Sequence, residues 1–135
     1  LGNSMSEQRI LIVTDRPDFP RAALERLGLA VTIAADGEVA FDKLLGAPCD
    51  LLAIDFALAH NGIDLIKRVR ATPQLTGILV LVLAEWGTGE PTLALAAGAD
   101  AYEPSETRLI DPERLITSIE RLLSRQVAAA KQQSL

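Results

Sequence analysis

The chain has 135 residues, 49% of them hydrophobic and 23% charged, proportions of an ordinary globular domain that exclude disordered, collagen-like and coiled-coil classes. At this length one domain buries roughly two-thirds of the surface of its unfolded chain, so a core needs no covalent or metal staple. Thirteen Lys and Arg against eighteen Asp and Glu leave a net charge of −5. The basic residues are scattered, which argues against nucleic-acid binding driven by phosphate neutralisation.

Ile10 to Val13 is a continuous apolar, β-branched run, the signature of a strand covered on both faces. After Asp15-Arg16-Pro17-Asp18, the spacing of Ala22, Ala23, Leu24 and Leu27 predicts a helix that Gly28 ends. Val31, Ile33 and Ala35 form a second strand. Asp36-Gly37 reads as a turn, and Val39, Ala40, Leu44 and Leu45 carry a second helix stopped near Gly46 and Pro48. Asp50 to Asp55 is a third strand with an aspartate as its last residue. Asn61-Gly62 turns into a helix marked by Ile63, Leu65, Ile66 and Val69 that ends before Pro73. Ile78 to Leu83 reads as a fourth buried strand, and Pro91 to Ala97 as a fourth helix closed by Gly98. A short strand around Ala101-Tyr102 follows. Asp111-Pro112-Glu113 starts the last helix, with an acidic cap and Pro at the first position, and Leu115, Ile116, Ile119, Leu122 and Leu123 form its buried stripe.

Five strand signals alternating with five helix signals specify a parallel sheet with helices on both faces. In such sheets ligands and chemistry collect beyond the carboxyl ends of the strands, where strand order reverses. Residues 1–8 read as a leader, with Leu1 to Ser4 ahead of Met5 a remnant of cloning. Residues 9–125 form the expected domain, and 126–135, polar and Ala-rich, a helical tail or linker to a further domain. With one Cys and one His, Cys49 and His60, neither an internal disulfide nor a tetrahedral zinc site is available. Cys49 reads as a small packed hydrophobe and His60 as a loop residue. No apolar stretch approaches the ~18 to 20 residues of a membrane span and no signal region opens the chain. A cytoplasmic protein without membrane contact is expected.

Residues 9 to 125 resemble a known family, the receiver domain of two-component response regulators. The resemblance rests on ILIVTDRPD, AADGEVAFDKL, DLLAID, NGIDLIKRVR, AAGADAY and DPERLITSIERLL, in that order. It implies a doubly wound five-stranded α/β fold of the flavodoxin type and a phosphate-accepting aspartate at Asp55, the end of DLLAID. A carboxylate there can attack a phosphoryl group to give an acyl phosphate when a cation neutralises the crowded oxygens. The resemblance further implies magnesium, held by Asp15, Asp55 and the backbone carbonyl of Ala57. The acidic pair of the family falls on Thr14-Asp15, so one acid is missing and weak magnesium binding is expected. A helix cap is the alternative role for Asp15.

Other positions depart further. The family's hydroxyl residue after the fourth strand falls on Ala84, or on Leu83 if the register slips by one, and neither carries a hydroxyl. The family's lysine falls on Ser105 when counted from Tyr102, or on Arg108 when counted back from Asp111-Pro112, because PSETRLI is longer than the usual connection. Ser105 supplies no charge, and the planar fork of Arg108 is a poor copy of a lysine point charge. Phe56 to Asn61 lacks the usual Pro. Tyr102 occupies the position of an aromatic that moves with the hydroxyl residue in the family, but its partner is gone. Trp86 is placed to cover the vacated pocket or to mark a contact surface.

These residues describe an atypical receiver, a pseudo-receiver acting as a signalling and protein-interaction module with weak or absent phosphorylation at Asp55. The expected partners are a histidine kinase or an output domain, and a homodimer through the fourth helix, fifth strand and last helix. One alternative is a phosphorylation-competent receiver that takes phosphate at Asp55 from a histidine kinase, with Arg108 in place of the lysine. The other is a small-molecule-binding flavodoxin-like domain, disfavoured because Asp15-Arg16-Pro17-Asp18 is no Gly/Thr-rich phosphate loop. No constellation for enzymatic turnover of a diffusible substrate is evident.

Overall fold

The computed structural model describes residues 8–55, 62–84, 90–104 and 111–133. Five strands, β1 (Arg9–Val13), β2 (Ala30–Ala34), β3 (Leu51–Asp55), β4 (Leu79–Ala84) and β5 (Ala101–Pro104), form one sheet in the order β2-β1-β3-β4-β5. All four pairings are parallel. Five helices connect and follow them: α1 (Arg21–Glu25), α2 (Gly37–Gly46), α3 (Gly62–Ala71), α4 (Glu90–Ala97) and α5 (Pro112–Gln133), with a 3₁₀ turn at Pro73–Leu75. The chain runs from β1 outward to β2 and then back past β1 to β3, so the order reverses between β1 and β3. The expected doubly wound α/β fold is present.

Strand alternation divides the core in two. Leu11, Val13, Leu52, Ile54, Val80 and Val82 pack with Leu44 of α2, Leu65, Ile66 and Val69 of α3 and Ala94 of α4. Ile10, Ile12, Leu51, Ala53, Leu81 and Leu83 pack with Leu24 of α1 and with Leu115, Ile119, Leu122 and Leu123 of α5. Each fully buried Leu or Ile side chain contributes about 1.5–3 kcal/mol relative to exposure. Strands with apolar residues on both faces are therefore stable only between two helical layers, which is why the runs in β1, β3 and β4 are continuous.

The structure differs from the sequence reading at several element ends. Helix α1 stops at Glu25, and the chain reaches β2 through Gly28 at φ 87°, a left-handed conformation that glycine adopts at little cost. Asp36 does more than turn the chain: it is the N-cap of α2, its carboxylate accepting the Val39 N–H at 2.9 Å, and Gly37 is already helical. At the start of α5, Asp111 accepts from Glu113 N at 3.0 Å, as its acid-Pro-acid signature requires. Residues 126–133 continue α5 without a break, following their helix propensity. Among the described residues no helix is long and apolar enough to cross a membrane.

Candidate functional site

The register of β1 and β3 pairs Val13 with Ile54, so the next residues, Thr14 and Asp55, meet at the carboxyl edge of the sheet where the strand order reverses. Both are buried, Thr14 at 2% and Asp55 at 0% exposure, and among the described residues they are the buried polar side chains within an otherwise apolar interior. A carboxylate removed from water must be paired and hydrogen-bonded. The Thr14 hydroxyl donates to Asp55 Oδ2 at 3.0 Å. The Arg16 guanidinium lies over the same group, with Nε 2.9 Å from Oδ2 and Nη2 3.4 Å from Oδ1. Arg16 also donates its backbone N–H to Thr14 Oγ1 at 3.1 Å. Backbone amide, hydroxyl, carboxylate and guanidinium thus close a ring built from three residues.

Asp15, between Thr14 and Arg16 in the chain, is exposed. It does not cap α1, whose N-cap is Pro20 with no side-chain hydrogen bond, so the helix-cap alternative is corrected: the loop from Asp15 to Phe19 separates it from the helix. The magnesium site implied by the resemblance fits poorly around Asp55. Both carboxylate oxygens are engaged by Arg16 and Thr14, and among the described residues no three His, Cys, Asp or Glu side chains cluster as metal ligands would. Ala84 is buried at the end of β4, next to β3, and presents a methyl group where the family pattern asks for a hydroxyl. Ala57, His60, Trp86, Ser105 and Arg108 lie outside the described residues.

Tyr102 is half-buried and packs against the cluster that contains Ala84 and Ala94. Next to it in β5, Glu103 is tied to α5: Ser118 donates to Oε1, and Arg114 Nη2 lies 3.0 Å from Oε2, an ion pair without hydrogen-bond geometry. Arg114 thereby ties the start of α5 to the end of the sheet. Burial pushes the Cys49 thiol up to about 11, and the group donates to Leu51 O at 3.2 Å. Such a thiol packs and does not act as a nucleophile at neutral pH.

Two residues of structural weight escaped the sequence reading. Arg16 lies in a loop without glycine, and its one sequence signal is a cation two residues beyond Thr14. Arg70, in the last turn of α3, donates to the carbonyls of Gly98, Thr76 and Ile78 at 2.7–2.9 Å and pairs with Asp100 at 2.9 Å. Asp100 in turn accepts from Val80 N at 2.8 Å.

No family model matches the chain. Individual proteins do. CpxR, a transcriptional regulatory protein of Escherichia coli, is 32% identical over 130 residues, covering 93% of this chain and 53% of CpxR. The chain thus spans about half the length of that relative. The chemotaxis protein CheY1 of Helicobacter pylori is 33% identical over 101 residues, covering 70% of this chain and 82% of CheY1. The solved structure of the chemotaxis response regulator CheY4 of Vibrio cholerae superposes with a TM-score of 0.75 at 25% identity, over 85% of this chain and 98% of that one. An aspartate ending β3 at the reversal of a 2-1-3-4-5 parallel sheet, together with a relative matched over four-fifths of its length, places this chain in the receiver-domain family of two-component response regulators.

Proposed function

We propose that this receiver works as a signalling and protein-interaction module whose phosphorylation switch is largely disabled. The observation that carries the reading is the state of Asp55, fully buried with both oxygens engaged by Arg16 and Thr14. A carboxylate nucleophile needs a free lone pair and an approach path. Here attack first requires Arg16 to withdraw. The departures at Ala84 and at the family's lysine position, Ser105 or Arg108, support the same reading, because a phosphoryl group would lose the hydroxyl and the lysine as donors of hydrogen bonds worth about 1.5–3 kcal/mol each, while Thr14 takes one acid from the magnesium site. A switch biased by only a few kcal/mol does not survive the loss of two such contacts.

In this reading Asp55 is the phosphoacceptor position, Thr14, Ala84, Tyr102, Ser105 and Arg108 are altered switch positions, and Asp15, Asp55 and the Ala57 carbonyl are what remains of a magnesium site. The module works in the cytoplasm with a histidine kinase or an output domain as partner, binds no nucleic acid, and self-associates through α4, β5 and α5. It signals rather than turning over a substrate. Incubation with acetyl phosphate and magnesium, followed by intact mass, tests it: little of the ~80 Da phosphoryl adduct is expected. Rapid stoichiometric labelling, abolished by Asp55→Asn, would instead establish a phosphorylation-competent receiver.

A further inference from the structure

We infer that Arg16 is the resident cation of this site: its guanidinium takes over the charge compensation that a divalent metal provides in the family, so Asp55 is held neutralised without metal. The inference rests on the family assignment of Asp55 for naming what has been replaced, and on the geometry for the replacement itself.

The geometry is a two-point contact. Nε and Nη2 of Arg16 face the two oxygens of Asp55 at 2.9 and 3.4 Å, in the fork-on-carboxylate arrangement that suits a guanidinium and that a lysine cannot copy. The arm is anchored at its root, because the Arg16 amide is bound to Thr14 Oγ1 and that hydroxyl is bound to Asp55. The pair is also withdrawn from water, at 12% side-chain exposure for Arg16 and 0% for Asp55. Screening is therefore weak, and a divalent ion approaching Asp55 meets a fixed positive charge at close range.

The two sequence departures in this loop complement each other. Thr14 removes a negative charge from beside Asp55, and Arg16 adds a positive one. With Asp15 exposed, the buried Asp55 carboxylate faces the largely covered, oppositely charged guanidinium of Arg16. The guanidinium is part of the chain, so this compensation, unlike that of a bound metal, does not depend on the concentration of any ion. The contacts this domain makes are accordingly independent of magnesium and of chelators.

Metal binding measured directly tests this. For the wild-type chain, thermal unfolding at constant ionic strength with and without ~10 mM magnesium is expected to give the same midpoint, since a ligand that binds the native state raises it with the logarithm of its concentration above Kd. A midpoint that rises with the logarithm of magnesium concentration, and more than with an equal ionic strength of sodium chloride, overturns the inference. For Arg16→Gln, manganese titration followed by electron paramagnetic resonance is expected to show affinity about tenfold or more above wild type, the smaller end of what a like charge within a few ångströms does to an ionic equilibrium. Adding Thr14→Asp should tighten it again, and Asp55→Asn in the same background should abolish it. Equal affinity in wild type and a folded Arg16→Gln, checked by circular dichroism, also overturns the inference. Should that variant fail to fold, the wild-type measurement decides alone. No phosphodonor enters these measurements, so rapid labelling of Asp55 would overturn the proposed function separately.

Discussion

Asp55 shows how burial and pairing act on one side chain. An ion pair taken out of water gains little net stability, but removing one partner leaves a buried charge and costs about 3–5 kcal/mol. Replacing both partners with apolar groups costs far less, because nothing charged is left to desolvate. Arg16→Met is therefore expected to lower unfolding stability by about 3 kcal/mol, and Arg16→Met with Asp55→Leu to recover most of that loss. Urea unfolding of the two variants measures it. An equal loss in both would mean that Arg16 contributes through the packing of its alkyl stem.

Among the elements, the junction of α3 with the turn between α4 and β5 is fixed by one arginine. Arg70 satisfies three carbonyls that their own elements leave free, and Asp100 relays the pairing to the amide of Val80. Gly98 is required here twice over. Its φ is 122°, and a Cβ would stand 2.8 Å from Arg70 Cγ. Gly98→Ala is expected to destabilise by roughly 1–3 kcal/mol through backbone strain alone. Because the added methyl also displaces Arg70, its effect should be less than additive with Arg70→Ala. A double-mutant cycle in urea checks both points, and full additivity would show that the glycine acts through its backbone only.

For the molecule as a whole, the two helical layers differ in how well they are covered. Helix α4 buries Ala94 against the sheet but leaves Leu93 and Leu95 at 61% and 44% exposure. Beside it, β5 and α5 are joined by the Glu103 contacts with Ser118 and Arg114, and a groove of about 380 Å³ lined by Glu103, Asp111, Arg114 and Arg121 runs along them. Exposed leucines next to a polar border are the composition of a protein contact. If the proposed self-association uses this face, Leu93→Glu is expected to abolish it in light scattering and Arg121→Glu to weaken it. Salt should have a modest effect, because Arg114 already has a partner within the chain and exposed charges are screened within ~10 Å at 0.1 M. Association unchanged in both variants would move the interface off this face.

The sequence by itself determined the alternation of strands and helices, the two-sided burial of β1, β3 and β4, and the position of Asp55 at the end of β3. Those features are written in local patterns: continuous apolar runs, helical spacing in α3 and α5, and the caps and glycines between elements. It also carried the expectation of an altered site, since Thr14 and Ala84 fall by position where the family pattern has an acid and a hydroxyl. The ring of Thr14, Arg16 and Asp55 was decided only by tertiary structure. Its hydrogen bond and ion pair join residues 41 and 39 positions apart, and the partners meet because β1 and β3 pair in one particular register. Arg70 is a similar case, reaching from α3 to Gly98 and Asp100, 28 and 30 positions on. Nothing local to an arginine says which distant carboxylate or carbonyl it will satisfy, because that choice is made when the packed core leaves those groups without water.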